Sequence, residues 1–236
     1  VKSAAQFDYA GNYSDFIYTN FGKGRVRRAT TTSLLETKKG NVTLESMMGI
    51  LRHHDDEHYD PQNSVAVMDV CMHAGFGPIR GSQSTASLVV LLDGNTPLIY
   101  ATGTSAPCTS IFKPMWMDTA SSLNLGPAPA SKYDSASTYW AHERLHRATL
   151  LNYPERIKTY AGDRDELEKK FIQESRRLAK ASAKERAEFL VQCFDEAAQA
   201  EADWLKRVEA VPARKKALHS IAWNTFNKKS EMPPVH

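Results

Sequence analysis

Cysteine is scarce in this chain: three among 236 residues, at 71, 108 and 193, with no CxxC spacing. An odd, low count favours a reducing, cytoplasm-like compartment, or simply unpaired thiols, over a disulfide framework. Long hydrophobic runs are also missing. None approaches the roughly 18 residues of a membrane-spanning helix, so no membrane partner is expected. Nor does one sign of charge dominate. The 30 basic and 27 acidic side chains leave a net charge of +3, too small to argue for nucleic acid as a partner. Residues 1–154 hold 13 of each sign, so the excess lies in 155–236, where the signs interleave as on a solvated helix face. No signal peptide and no initiator Met are visible, and Val1-Lys2-Ser3 reads as a start in mid-pattern, as in a processed chain, a subunit or an excised part.

Glycine and proline are missing from one region only. Eleven of the 12 glycines precede residue 155, and no proline falls between Pro154 and Pro212. Short strand-like runs with turn residues therefore give way to helix formers, which is an α+β pattern. Two units are expected: a core over 1–152 and a helical appendage over 153–236. Asp15–Asn20 and Arg25–Leu35 read as strands or extended segments. Thr43–His53 reads as a short helix capped by Thr43, and Val65–Val70 as a buried strand. Apolar Ala86–Leu92 and Pro97–Thr102 flank Asp93-Gly94-Asn95, a strong hairpin signal. Ser135–Leu151 reads as a helix, and Ser182-x-x-Glu185 as a capping box that starts another. Leu190, Phe194, Ala197, Leu205 and Val208 share one face of that helix. Pro212 ends it, and a last helix follows over Ala213–Lys228.

The chemistry concentrates between Val65 and Met117, where two of the cysteines sit among small hydroxyl residues. Cys71 and His73 lie two apart, so on a strand they share a side, yet a buried cysteine acting as a small hydrophobe is the better reading. Cys108, in Ser105-Ala106-Pro107-Cys108-Thr109-Ser110, is the better site-lining candidate. His53-His54-Asp55-Asp56-Glu57-His58 is rich in metal-ligating types and reads as a solvated loop. Gly75-x-Gly77 and Gly81 open no helix and match no phosphate cradle. His142-Glu143-Arg144-Leu145-His146 matches HExxH, which on a helix could present two imidazoles to Zn²⁺, with Glu166 as a third ligand. The stretch around Glu166, Asp165-Glu166-Leu167-Glu168-Lys169-Lys170, lacks the polar residues such a ligand needs behind it. An amphipathic helix making ordinary polar contacts is the expectation there.

Several irregular segments together resemble the C-terminal half of the secernin-like dipeptidases, a branch of the N-terminal-nucleophile hydrolases. They are Phe7-Asp8-Tyr9, Arg25-Val26-Arg27-Arg28, Leu51-Arg52-His53-His54, Cys71-Met72-His73 and Ser82-Gln83-Ser84-Thr85-Ala86-Ser87. Thr102-Gly103-Thr104-Ser105-Ala106-Pro107-Cys108, Phe112-Lys113-Pro114 and Tyr139-Trp140-x-His142-Glu143-x-x-His146-Arg147 complete the set. The resemblance spans roughly residues 5–152. It implies a four-layer αββα sandwich, hydrolysis of small peptide or amide bonds, and a helix at HExxH that packs on the core without a metal. Such enzymes attack with the thiol of an N-terminal cysteine, whose α-amino group serves as base. This chain opens on Val1, so no catalytic residue is assigned within it. The nucleophilic cysteine is expected on a companion chain or a missing N-terminal half, with this chain inactive alone and part of an oligomer. His73, Arg80, Thr85, Ser105 and Cys108 are the expected substrate-binding residues, with His73 and Arg80 facing a substrate carboxylate. No cofactor and no metal ligand are assigned. The alternatives are a zinc metallopeptidase using His142, His146 and Glu166, and a secernin-like protein linked to exocytosis without hydrolysis.

Overall fold

The computed structural model describes residues 7–15, 19, 22–63, 69–75, 80–92, 97–214 and 216–236. It mixes helix and antiparallel sheet, an α+β arrangement. Helix α1 (Tyr9–Tyr13) is a single turn, and α2 (Gly24–Thr37) follows. The Arg25–Leu35 segment, expected as a strand, is therefore helical. Thr31 Oγ1 donates back to the carbonyls of Arg27 and Arg28 at 3.0 Å, satisfying the hydroxyl within the helix. No residue of α2 is buried, so packing against the core did not impose the helix. Most of Asp15–Asn20 and of Val65–Val70 lies outside the described residues.

Helix α3 (Leu44–Leu51) begins where Thr43 predicts. The Thr43 side chain accepts from the Ser46 amide at 3.1 Å and Ser46 Oγ accepts from the Thr43 amide at 2.8 Å, two otherwise orphaned donors satisfied together. Strands β1 (Leu88–Leu91) and β2 (Leu98–Ala101) form the expected hairpin; its tip, 93–96, lies outside the described residues. Strand β3 (Lys113–Met115) joins β2, giving an antiparallel sheet in the order β1-β2-β3. The pairs Val89↔Tyr100 and Leu91↔Leu98 set one face, and Leu88↔Ala101, Val90↔Ile99 and Ile99↔Met115 set the other.

Helices α4 (Thr138–Leu150), α5 (Tyr153–Arg156), α6 (Ala161–Arg177), α7 (Ala183–Ala210) and α8 (Ala217–Lys229) follow. Ser182 and Glu185 close the expected capping box at the start of α7. Residues 153–236, expected as an appendage, share one core with the sheet. Leu44 and Met48 of α3, Val89, Leu98 and Tyr100 of the sheet, Leu145 and Ala148 of α4, Phe171 and Ile172 of α6, and Cys193, Trp204 and Val208 of α7 form a single buried cluster. Each such large side chain removed from water contributes about 1.5–3 kcal/mol. Inside the cluster the Tyr100 hydroxyl meets Ser175 Oγ at 2.8 Å and Tyr160 stacks on Trp204 at 5.1 Å, while the Trp116 indole N–H finds no partner. Among the described residues no helix is long and apolar enough to cross a membrane.

Candidate functional site

The loop bearing Cys108 is held by charged side chains from two helices. Arg52, just past the end of α3, donates from Nε to the Pro107 carbonyl at 2.8 Å and from Nη2 to the Ser110 carbonyl at 3.0 Å. Its guanidinium also forms a two-pronged ion pair with Glu168 of α6, whose Oε1 accepts from the Phe112 amide at 2.7 Å. Arg164 of α6 donates to the Cys108 carbonyl. The segment bearing Cys71 and His73 is tied down separately: the Cys71 amide donates to the His53 carbonyl at 3.2 Å, and the Ser84 amide to the Met72 carbonyl at 2.9 Å. The chain thus spends buried hydrogen bonds on loops rather than on regular elements, which holds irregular backbone in place without a helix or strand around it.

These loops bring two thiols and two imidazoles together. His73 Nε2 lies 3.1 Å from Cys108 Sγ and 3.5 Å from Cys71 Sγ, and one potential ligand atom from each of His54, Cys71, His73 and Cys108 lies within 4.8 Å of the others. Asp69 orients His54 through Nδ1 at 3.3 Å and also accepts from the Asp55 amide. His54 Nε2 and His73 Nδ1 are buried without a hydrogen-bond partner. Aromatic rings wall the cluster: Tyr59 stacks on His54 at 3.7 Å between centroids, Tyr153 meets His73 edge-on, and His146 stacks on His73 at 5.4 Å.

Burial sets one direction for both thiols, and neighbours separate them. Burial pushes the Cys71 thiol up, and the Cys108 thiol beside it pushes it further. Burial would raise Cys108 as well, but a hydrogen bond with Cys71, the charge of His73 and the hydrogen bond with His73 Nε2 hold it well below the ordinary thiol range. For His54, burial favours the neutral ring, yet Asp69 and Cys108 outweigh it and raise its pKa to about 9. A thiolate beside an imidazolium that a carboxylate orients is a nucleophile's environment. Two thiols and two imidazoles are also a zinc-type ligand set. Both sulfurs are enclosed, Cys108 being only 5% exposed and Cys71 fully buried.

The structure brings His73 and Cys108 of the expected binding residues into contact and places the others apart from them. Ser105 is buried, with Oγ 3.0 Å from Gln83 Nε2 and 3.3 Å from the Tyr139 hydroxyl. Arg80 is buried, donating from Nη2 to the Pro61 carbonyl at 2.8 Å while Nε and Nη1 find no partner. Thr85 is exposed on the approach to β1. Cys71 is buried as expected, but it is also part of the cluster. His54 leaves the solvated loop foreseen for 53–58, because the Asp69 contact draws it inward; His53 stays outside, paired with Asp55 at 3.0 Å. Asp69, Tyr59 and Tyr153 carried no signal in the sequence; the local pointers were a histidine two residues from a cysteine, the thiol of Cys108 in its polar loop and the metal-ligating types over 53–58.

On α4 the HExxH side chains are engaged by the protein. His142 is hydrogen-bonded to Glu201 at 2.9 Å and to Ser110 Oγ at 3.0 Å, and His146 Nδ1 to Thr109 Oγ1 at 2.9 Å. Glu143 pairs with Arg147 at 2.9 Å, and Glu166 is exposed. A cavity of about 340 Å³ adjoins this helix, lined by Lys113, Tyr133, Arg144, Phe194 and Glu201 among others. None of the five expected binding residues lines it. Comparison of the chain with protein-family models, curated proteins and solved structures finds no match.

Proposed function

We propose that this chain is the C-terminal portion or subunit of a cysteine-dependent N-terminal-nucleophile amidohydrolase of dipeptidase type. The observation that carries the reading is the uncovered face of the sheet. Its other face, with Val89, Leu98 and Tyr100, is buried against the helices. On the uncovered face Leu88 is 56% and Val90 37% exposed, beside partly exposed Ile99, Ala101 and Met115, all apolar; at its edge Lys113, opposite Ala101, is buried over the Phe194 ring of α7. A sheet with helices on one side and a largely apolar, part-exposed surface on the other is what half of a four-layer αββα sandwich would present, in which two sheets stack through their inner faces about 10 Å apart. A companion polypeptide supplies the second sheet and begins with the nucleophilic cysteine. The irregular segments that resemble secernin-like dipeptidases support the same assignment.

In this reading the terminal thiol attacks the amide carbonyl while the α-amino group, with a pKa near about 8, accepts its proton. That proton passes to the leaving amine, and water cleaves the thioester to release the acid. This chain's hydroxyl-rich loop over 102–110 and the cluster around His73 support the pocket wall. The partners of His142 and His146 leave the metallopeptidase alternative without a specific observation in its favour.

The test is reconstitution with the companion segment, followed by assay on a dipeptide panel. The expected result is turnover by the pair, none by this chain alone, and loss when the companion's terminal cysteine becomes alanine. Turnover by this chain alone that Cys108→Ser abolishes would move the nucleophile to Cys108 and overturn the proposal. A pair that hydrolyses nothing overturns it in favour of a non-enzymatic secernin-like protein.

A further inference from the structure

We propose that His54, Cys71, His73 and Cys108 form a closed tetrahedral site for one Zn²⁺ with a structural role. A tetrahedral zinc with Zn–S of about 2.3 Å and Zn–N of about 2.0 Å sets its sulfur and nitrogen ligands about 3.5 Å apart. The two sulfurs stand 3.5 and 3.1 Å from His73 Nε2, and all four potential ligand atoms fall within 4.8 Å of one another.

Charge favours a divalent soft-ligand metal. Binding expels two protons from the four side chains to solvent, and two thiolates with two neutral imidazoles bring the site to zero net charge. That balance matters where all four side chains are largely shielded from water. Thiolate and imidazole together select zinc over magnesium or calcium, which take oxygen ligands. Asp69 completes the arrangement: its carboxylate holds His54 through Nδ1, fixing the tautomer that leaves Nε2 for the metal, and that Nε2 is buried without another partner. Four protein ligands leave no open position for water or substrate, so the ion staples the fold rather than activating a reactant. The segments it joins, at residues 54, 71–73 and 108, lie outside the helices and strands. This inference stands on the ligand geometry and does not depend on the hydrolase assignment.

The 236-residue chain, purified under reductant without chelator from medium containing zinc, is expected to carry one equivalent of zinc. Exchange for Co²⁺ is expected to give the strong d–d and thiolate charge-transfer bands of a tetrahedral S₂N₂ site. Cys71→Ser and Cys108→Ser should each abolish that spectrum. Because a ligand variant can fail to fold, Asp69→Asn serves as the second variant: it removes no ligand and should weaken zinc about 10–100-fold in chelator competition. Substoichiometric zinc together with no tetrahedral Co²⁺ spectrum overturns the proposal. So does one bound equivalent retained by both folded cysteine variants, or an affinity that Asp69→Asn leaves unchanged. None of these readouts involves peptide hydrolysis, so the metal site and the hydrolase reading fail separately.

Discussion

Replacing Glu168 by alanine tests the link between α6 and the loop that carries Cys108. Glu168 is 6% and Arg52 14% exposed at the side chain, so the ion pair they form is largely removed from water. The guanidinium also holds the Pro107 and Ser110 carbonyls and lies over the Phe112 ring at 5.0 Å, while Glu168 satisfies the Phe112 amide. Removing the carboxylate leaves a shielded cation with only neutral partners and one orphaned amide. Breaking a buried pair on one side costs about 3–5 kcal/mol. With a urea slope of about 2–3 kcal/mol/M, the unfolding midpoint should fall by about 1–2 M, followed by circular dichroism. Substituting both partners together, Arg52→Met with Glu168→Leu, should recover most of the loss, because the uncompensated charge then disappears. Metal affinity should also weaken in Glu168→Ala, because the loop bearing Cys108 is no longer anchored. A loss below about 1 kcal/mol, as exposed pairs give, would refute the reasoning.

His219 supplies a pH signature. Burial first, then the charges of Arg80 and His73, lower its pKa to about 4 from the ordinary 6.5. The unfolded chain therefore takes up this proton first as pH falls, so the contribution is complete above pH 6.5 and is lost between about 6.5 and 4, amounting to about 3 kcal/mol. His219→Gln should flatten the stability profile in that window relative to the parent chain; parallel profiles would contradict it. Gly126 has φ +70°, and a Cβ there would sit 2.0 Å from the Ala136 carbonyl oxygen, so Gly126→Ala should lower the melting temperature sharply, while Gly162→Ala, with open space around it, should not. Ser182→Ala removes the cap of α7 and should cost about 1 kcal/mol in chemical denaturation. All three cysteines are buried, so a thiol reagent should label the folded chain slowly and the denatured chain at three positions; rapid labelling of Cys108 in the native state would show it open to solvent.

Local rules were sufficient wherever neighbours in sequence decide the outcome. Thr43 and Ser182 cap the helices they were expected to cap because their partners stand three residues away. The β1–β2 hairpin follows from Asp93-Gly94 between apolar runs. The Arg25–Leu35 segment was misread, since β-branched threonines favour strands only where a neighbouring strand receives them, and here the Thr31 hydroxyl bonds within the helix. On the sequence, Cys71 and His73 are visible as a pair and Cys108 as a separate thiol in a polar loop. Nothing in it joins them to His54 or to Asp69.

What the sequence by itself determined about this chain is its α+β character, its caps and its hairpin. The tertiary structure alone decided that residues 153–236 share the core and that the HExxH side chains are spent on hydrogen bonds. It alone drew His54, Cys71, His73 and Cys108 together. The physical reason is that convergence depends on contacts such as Arg52 to Glu168, 116 residues apart, and Arg164 to the Cys108 carbonyl, 56 residues apart. Periodicity and spacing report neighbours along the chain, whereas a site built from loops is assembled by side chains far from it.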